Sequence, residues 1–327
     1  MTGGTRNLSS ERLGSGSFPR QVAAGGSPGA LGSAAVLRRW GRAADGRQAG
    51  PPAGGQAAHD TDDPRRAELE AAAATVADWF HSLDLGHGVV TPGVKSAELL
   101  ATELASLRLP DLRGRTVLDI GAWDGFYSFE AERRGAARVV ALDHYAWSLD
   151  LAAVHGYNER CRAEGVPPAP WETVPDVWRP DALPGRRGFD LARAALGSAV
   201  EPVVADFMAT DPADIGQFDV SLFLGVLYHL MDPFDALRRL RRVTREVAVI
   251  ETAVLVLVGL ADRPLWDFFP EDQLNGDPSN WWAPNVAGLV GACRAAGFSS
   301  VEVIAQPPDD LPPWQVFHGR AVVHAHC

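Results

Sequence analysis

Residues Arg115–Asp143 read RTVLDIGAWDGFYSFEAERRGAARVVALD, and this stretch decides the fold. RTVLDI (115–120) is a short apolar run stopped by Gly121, the mark of a strand buried on both faces of a parallel sheet. Phe126–Arg134 follows with helical spacing, and RVVAL (138–142) is a second apolar run closed by Asp143. Strand, helix and strand within about 30 residues make a βαβ unit.

The pattern continues towards the C-terminus. A helix is predicted over Phe189–Leu196, a strand over Glu201–Ala205 ending at Asp206, and another over Phe218–Leu224 ending at Gly225. Asp232 caps a helix that runs to Val243 with Pro233 in its first position. Val247–Thr252 is a fifth strand, Val286–Ala296 a helix stopped by Gly297, and Ser300–Ile304 and Ala321–His326 are the last two strands. The alternation specifies an α/β fold with a Rossmann-like, seven-stranded, mostly parallel, doubly wound sheet. Ahead of it, helices over Arg65–Phe80 and Ser96–Leu107 form an N-terminal helical extension (67–113). Insertions near 155–188 and 260–284 fall outside the regular units, as long loops that cap a site do.

Composition divides the chain of 327 residues at about residue 66. Residues 1–66 are rich in Gly, Ala, Ser and Arg and carry nine Arg against five acids. They read as a disordered tail, and 67–327 as the folded domain. The overall charge of −11 therefore hides a folded part at −15, a poor match to electrostatic capture of nucleic acid or an anionic membrane. At 46% hydrophobic the chain can bury a sizeable core. Cys161, Cys293 and Cys327 have no disulfide-scaffold or zinc-ribbon spacing. The most apolar run, Val247–Ala261, is interrupted by Glu251-Thr252 and is too short to span a bilayer. The expectation is a cytoplasmic enzyme with no membrane partner; a homo-oligomer is left open.

In a doubly wound sheet the ligand sits at the carboxyl ends of the strands. Those ends carry Asp119-Ile120-Gly121-Ala122-Trp123-Asp124-Gly125, then Asp143-His144, Asp206-Phe207 and Gly225. A dinucleotide fingerprint fails here, because Trp123 and Phe126 stand at the second and third glycine positions counted from Gly121. That sets aside a nicotinamide oxidoreductase. Acids around the site would repel a pyrophosphate but suit a cationic ligand bearing a ribose. Asp143 is placed to accept both ribose hydroxyls, and Asp206 an adenine amino group with Phe207 beside the base.

Val117–Gly125 with Asp143 and Asp206 resembles the S-adenosylmethionine (SAM) site of class I methyltransferases. More narrowly, WFHSLDLGHGVVTPG (79–93), DIGAWDGFYSFE (119–130), GVLYH (225–229), IET (250–252) and NWWAPN (280–285) resemble the tRNA wobble-uridine (mo5U34) methyltransferases and their carboxymethyl-transferring CmoB relatives. The resemblance implies a SAM-dependent methyltransferase, with Gly121 and Gly125 turning beneath the methionine and Asp119 facing its amino group. Cofactor-binding residues are then Asp119, Gly121, Ala122, Trp123, Gly125, Asp143, His144, Asp206, Phe207 and Gly225. Many such enzymes have glycine where Trp123 stands; here that position should form an aromatic wall. In the carboxymethyl-transferring relatives the matching tyrosine and a preceding lysine hold the extra carboxylate of carboxy-SAM. Ala71–Phe80 has neither Lys nor Arg, so ordinary SAM is the expected donor.

Methyl transfer from a sulfonium needs orientation and exclusion of water, and a base where the acceptor must lose a proton. Tyr228 and His229 are the catalytic candidates, His229 as that base. Trp281, Trp282, Asn285 and Glu251 are expected on the acceptor side. The arginines of 238–245 are placed on the solvated side of a helix whose buried face is Leu237, Leu240 and Val243. His324-x-His326-Cys327 lacks enough ligands for a metal site. The acidity of the folded part points to O-methylation of a small-molecule acceptor; the family resemblance points to the alternative, a 5-hydroxyuridine in tRNA. A non-catalytic SAM-binding protein is the further alternative.

Overall fold

The computed structural model describes residues 63–257, 259–308 and 316–327. The tail expected over 1–66 thus lies outside the described residues except for its last four. Three of those, from Pro64, already belong to helix α1 (Pro64–Ala73), capped by the Asp63 carboxylate.

The sheet has seven strands in the order β3-β2-β1-β4-β5-β9-β8. These are β1 (Thr116–Ile120), β2 (Arg138–Asp143), β3 (Glu201–Val204), β4 (Phe218–Leu224), β5 (Thr244–Leu257), β8 (Ser300–Ala305) and β9 (Val316–His326). The first five pair in parallel, and β9 runs antiparallel to both of its neighbours. The expected mostly parallel architecture is therefore present. Its order reverses between β1 and β4, and the crevice at such a switch point is where doubly wound sheets bind ligands.

Alternation along each strand sends successive side chains to opposite faces. Val117, Val139, Val220 and Val249 join one core, with Leu69, Leu107, Phe129 and Phe189. Their neighbours Leu118, Val140, Leu142 and Ile250 join the other, with Leu237, Leu240 and Leu289. The first face is covered by α1, α2 (Ala97–Leu107), α3 (Phe126–Arg133) and α6 (Arg187–Leu196). The second is covered by α8 (Pro233–Val243) and α9 (Val286–Ala295).

Three elements depart from the sequence expectation. The first helix ends at Ala73 instead of Phe80. Residues 79–95 leave it to pair with one another and with the loop after β1. The insertion expected from residue 155 begins as a regular helix, α5 (Leu151–Glu164), which follows the single turn α4 (Tyr145–Ser148) and is capped by Asp150. The insertion at 260–284 contains a two-stranded hairpin, β6 (Trp266–Phe268) with β7 (Trp282–Pro284). Strands β5 and β9 extend well past their expected ends, where Ala253 and Leu255 pack against Phe269, Leu274 and Ala283 of that insertion.

Candidate active site

The turn after β1 is built by backbone that side chains rarely allow. Gly121 has φ 77°, and a Cβ there would lie 2.6 Å from Val226 Cγ2. Gly125 has φ 89°, and its Cβ would lie 2.6 Å from the Phe129 ring and 2.7 Å from Phe189. Only glycine satisfies both demands. Trp123 stands between them at φ 49°, a strained value for a bulky residue. The strain is held from three sides. The Trp123 amide donates to Asp143 Oδ2 (2.9 Å), its carbonyl accepts from Trp147 Nε1 (2.6 Å), and its ring stacks on Phe80 at 4.1 Å. Ala122 is buried and closes the turn by accepting from the Gly125 amide at 2.8 Å.

Asp124 carries a role that the sequence did not reveal. Its carboxylate accepts from the amides of Phe80 (3.1 Å) and His81 (2.8 Å), and it pairs with His81 Nδ1. Both side chains are buried. The loop 79–95 is thereby strapped to the glycine turn, and Gly93 lies so close to His81 that a Cβ would meet its carbonyl carbon at 2.2 Å. Only the string WFHSLDLGHGVVTPG hinted at this contact.

Asp119 and Asp143 end adjacent strands, and both are buried. Ser128 donates to Asp119 at 2.6 Å. Burial pushes the Asp119 carboxyl up to about 7 and Asp143 up to about 6, the latter against amide donors that favour its charge. Asp206 is exposed and caps its own turn by accepting from the Met208 amide at 2.8 Å. Phe207 is buried against Phe223 in the core, not free beside the crevice. His144 is half-buried with its ring edge-on to Trp178 at 5.3 Å.

After β4, Gly225 (φ 73°) leads into a single 3-10 turn over Leu227–His229. A Cβ on Gly225 would touch the Tyr228 hydroxyl at 3.5 Å and Arg320 at 3.6 Å. Arg320, on β9, lies over the Tyr228 ring at 4.9 Å and is paired through two nitrogens with Glu251 on β5. Burial works against the Arg320 charge, yet Glu251 and Tyr228 hold its pKa well above the usual value. Glu251 is thus committed to a cation that the sequence reading did not include. The pairing becomes visible only in the folded sheet, where β5 and β9 pair in register with Glu251 opposite Val322 and Ala253 opposite Arg320. Burial raises the Tyr228 hydroxyl and lowers the His229 ring, which favours its neutral form. Its Nδ1 meets Ser279 Oγ at 2.9 Å and the Ser279 carbonyl at 3.2 Å.

The NWWAPN segment reaches the same place. Trp281 donates its amide to the Tyr228 carbonyl at 2.8 Å, and Trp282 Nε1 donates to the Met231 carbonyl at 3.3 Å. Both rings are half-buried. Asn285 departs from its expected acceptor role. It caps α9 through Oδ1 (Gly288 amide, 2.8 Å), accepts from the Leu265 amide at 3.0 Å, and donates to the Arg263 carbonyl at 2.7 Å. A buried amide satisfied on both ends has nothing left for a substrate. An open groove of about 440 Å³ lies between the two insertions, lined by Tyr157, Pro168, Pro170, Pro278 and Trp281 among others. His324, by contrast, hydrogen-bonds through Nε2 to the Leu107 carbonyl at 2.9 Å. No group of three metal-ligating side chains occurs among the described residues.

The crevice therefore joins a glycine turn, two protonatable carboxyls at the ends of β1 and β2, and a Tyr-His pair after β4. A solved N-terminal domain of EvdMO1 with SAH bound superposes on 83% of this chain and 99% of its own at TM-score 0.52, with 16% sequence identity. The chain has the class I SAM-dependent methyltransferase fold. No family model matches the sequence. Curated relatives named tRNA U34 carboxymethyltransferase do match it. The Marinobacter nauticus protein is 25% identical over 197 residues, 60% of this chain and 47% of that protein. The Methylococcus capsulatus protein is 26% identical over 251 residues, 76% of this chain and 64% of that protein. The resemblance read from the five motifs is borne out by these relatives, and the chain spans about half the length of those it matches.

Proposed function

We propose that this protein is a SAM-dependent methyltransferase. The observation that carries the reading is the pair of buried carboxyls, Asp119 and Asp143, facing a glycine turn at the switch point of the sheet. Asp119 takes the methionine amino group and Asp143 the ribose hydroxyls, while Trp123 walls the turn. SAH in the EvdMO1 structure supports the same ligand class here. The donor is SAM and not carboxy-SAM. The guanidinium beside Tyr228 is already neutralised by Glu251, which leaves an added carboxylate without a free cation there.

For the acceptor, the relatives' name favours a wobble uridine of tRNA over the small molecule that the charge count favours. Exposed or half-exposed rings beside the Tyr228-His229 turn (Phe234, Phe268 and Trp282) offer stacking faces of the kind unpaired RNA bases use. A small-molecule acceptor remains the second reading because of one observation: four of the five arginines in the stripe are already engaged. Arg239, Arg242 and Arg245 pair with Asp235, Asp211 and Asp219, and Arg241 donates to the Gly297 and Thr244 carbonyls. These arginines cluster where β5 begins, whereas the crevice lies at the strands' carboxyl ends. The D-fucose present with SAH in one EvdMO1 structure is in keeping with that reading.

Methyl-labelled SAM offered with total tRNA and, separately, with a metabolite extract tests both. Label in RNA, with salt-sensitive binding, supports the first reading. Label in the extract alone supports the second, and label in neither removes the methyltransferase reading.

A further inference from the structure

The segment 277–279 makes contacts whose direction fixes the state of His229. Ser279 donates its hydroxyl to Asp277 Oδ1 at 2.6 Å and its amide to the same oxygen at 2.8 Å. The one hydroxyl proton is thus aimed at the carboxylate, so the oxygen can only accept from His229 Nδ1 at 2.9 Å. The second contact of Nδ1, at 3.2 Å, is to the Ser279 carbonyl, which cannot donate. Both partners require a proton on Nδ1. In a neutral imidazole the lone pair then sits on Nε2, which has no protein hydrogen-bond partner among the described residues.

We infer that Asp277 and Ser279 are positioning residues, a hydrogen-bonded chain that holds His229 as the Nδ1–H tautomer with Nε2 free as the general base. This rests on the methyltransferase reading above. In the step, the acceptor hydroxyl oxygen forms a bond to the methyl carbon as the S–CH3 bond breaks. Sulfur keeps the electron pair, and the hydroxyl proton passes to Nε2. The products are the methylated oxygen, neutral S-adenosylhomocysteine and an imidazolium, whose Nδ1–H then faces the Asp277 carboxylate through Ser279. An Asp–Ser–His chain of this kind stabilises the charge that forms on the ring.

The charged and titratable groups around His229 act in opposite directions. Asp277 favours the imidazolium and Arg320 opposes it, with burial opposing it most. Tyr228 packs against the ring at 4.2 Å. Tyr145, held by Glu172 at 3.3 Å, faces the Asp277–Ser279 pair from the turn after β2.

The test is imidazole nitrogen-15 NMR of the full-length protein saturated with S-adenosylhomocysteine, with His229 assigned from the spectrum of His229→Gln. The expected result is a protonated Nδ1 and a bare Nε2, with the ring titrating at lower pH in Asp277→Asn. Ser279→Ala leaves only the backbone carbonyl to hold Nδ1–H, so it should weaken the preference for that tautomer, and Ser279→Thr, which keeps the hydroxyl, should restore it. Unchanged S-adenosylhomocysteine affinity in each variant shows that the fold is intact. A protonated Nε2 in the wild type, or an Asp277→Asn midpoint that does not move, overturns the inference. None of these readouts needs methyl transfer, so their failure is distinct from failure of the labelled-SAM experiment. Where label is transferred, Ser279→Ala should lower kcat roughly 10-fold or more and His229→Gln roughly 100-fold.

Discussion

Replacing Asp124 tests whether the 79–95 loop is held to the glycine turn by one buried carboxylate. That carboxylate is 2% exposed and serves three donors: two backbone amides at 2.8 and 3.1 Å and the His81 ring. Alanine leaves all three without a partner in a dry site. Each orphaned buried donor costs about 1–3 kcal/mol. Asp124→Ala should therefore destabilise the protein by roughly 3–9 kcal/mol, a large part of the usual 5–15 kcal/mol. Asparagine is the informative contrast. Its oxygen can keep both amide bonds, while its NH2 meets His81 Nδ1 and demands the other tautomer, at a cost of about 1–2 kcal/mol. At roughly 2–4 °C per kcal/mol in a domain of this size, alanine should lower Tm by about 10 °C or more and asparagine by a few degrees. Thermal unfolding followed by circular dichroism reads both. An alanine variant that melts within about 2 °C of wild type would refute the strap.

Other perturbations follow from the same geometry. Gly121→Ala places a methyl 2.6 Å from Val226 at a φ of 77°; it should cost about 1–2 kcal/mol from backbone alone, and equilibrium dialysis should show weaker SAM binding while the near-ultraviolet spectrum stays native. Glu251→Gln strips the partner from Arg320, and since both side chains keep some water contact the loss should be about 1–3 kcal/mol, below the 3–5 of a fully buried pair. Glu251→Gln with Arg320→Met should recover much of it in urea unfolding. The raised carboxyls of Asp119 (about 7) and Asp143 (about 6) bear on pH in two ways. Their folded pKa values exceed the unfolded ones, so without ligand their contribution to stability is greatest below pH 4 and is lost as pH rises towards 7. A cationic ligand favours the ionised forms, so SAM affinity should rise from pH 5.5 to pH 8, and Asp119→Asn should flatten that rise. A pH-independent Kd in the wild type would contradict the assignment.

The alternation of Arg115–Asp143 was enough to read the sheet, because a buried parallel strand needs an unbroken apolar run and a glycine to turn out of it. The wall expected at Trp123 came from the resemblance alone; its stacking partner Phe80 was not legible, because the first helix is predicted to run seven residues too far. The helix ends where Thr75 Oγ1 donates to the Ala72 carbonyl and Trp79 Nε1 to the Ala73 carbonyl, and Asp124 then takes the Phe80 and His81 amides. Helix α5 was hidden by Gly156 and by a thin apolar face, with only Val154 and Cys161 buried. The long β5–β9 pairing was hidden because Glu251 reads as an interruption until Arg320 is seen beside it. Asn285 shows the reverse error: a polar residue near a site that caps a helix. Asp277 and Ser279 could not be found from their local sequence, Asp-Pro-Ser, which signals only a turn. Their link to His229 spans about fifty positions and exists only in the folded chain.

Calorimetric titration of SAM into the full-length protein and into Asp143→Ala tests the central claim most directly. The account predicts one site in the wild type and at least a tenfold weaker Kd in the variant, because the ribose loses its acceptor and Trp123 its amide partner. No binding by the wild type, or equal binding by both, would contradict the placement of the cofactor at the ends of β1 and β2.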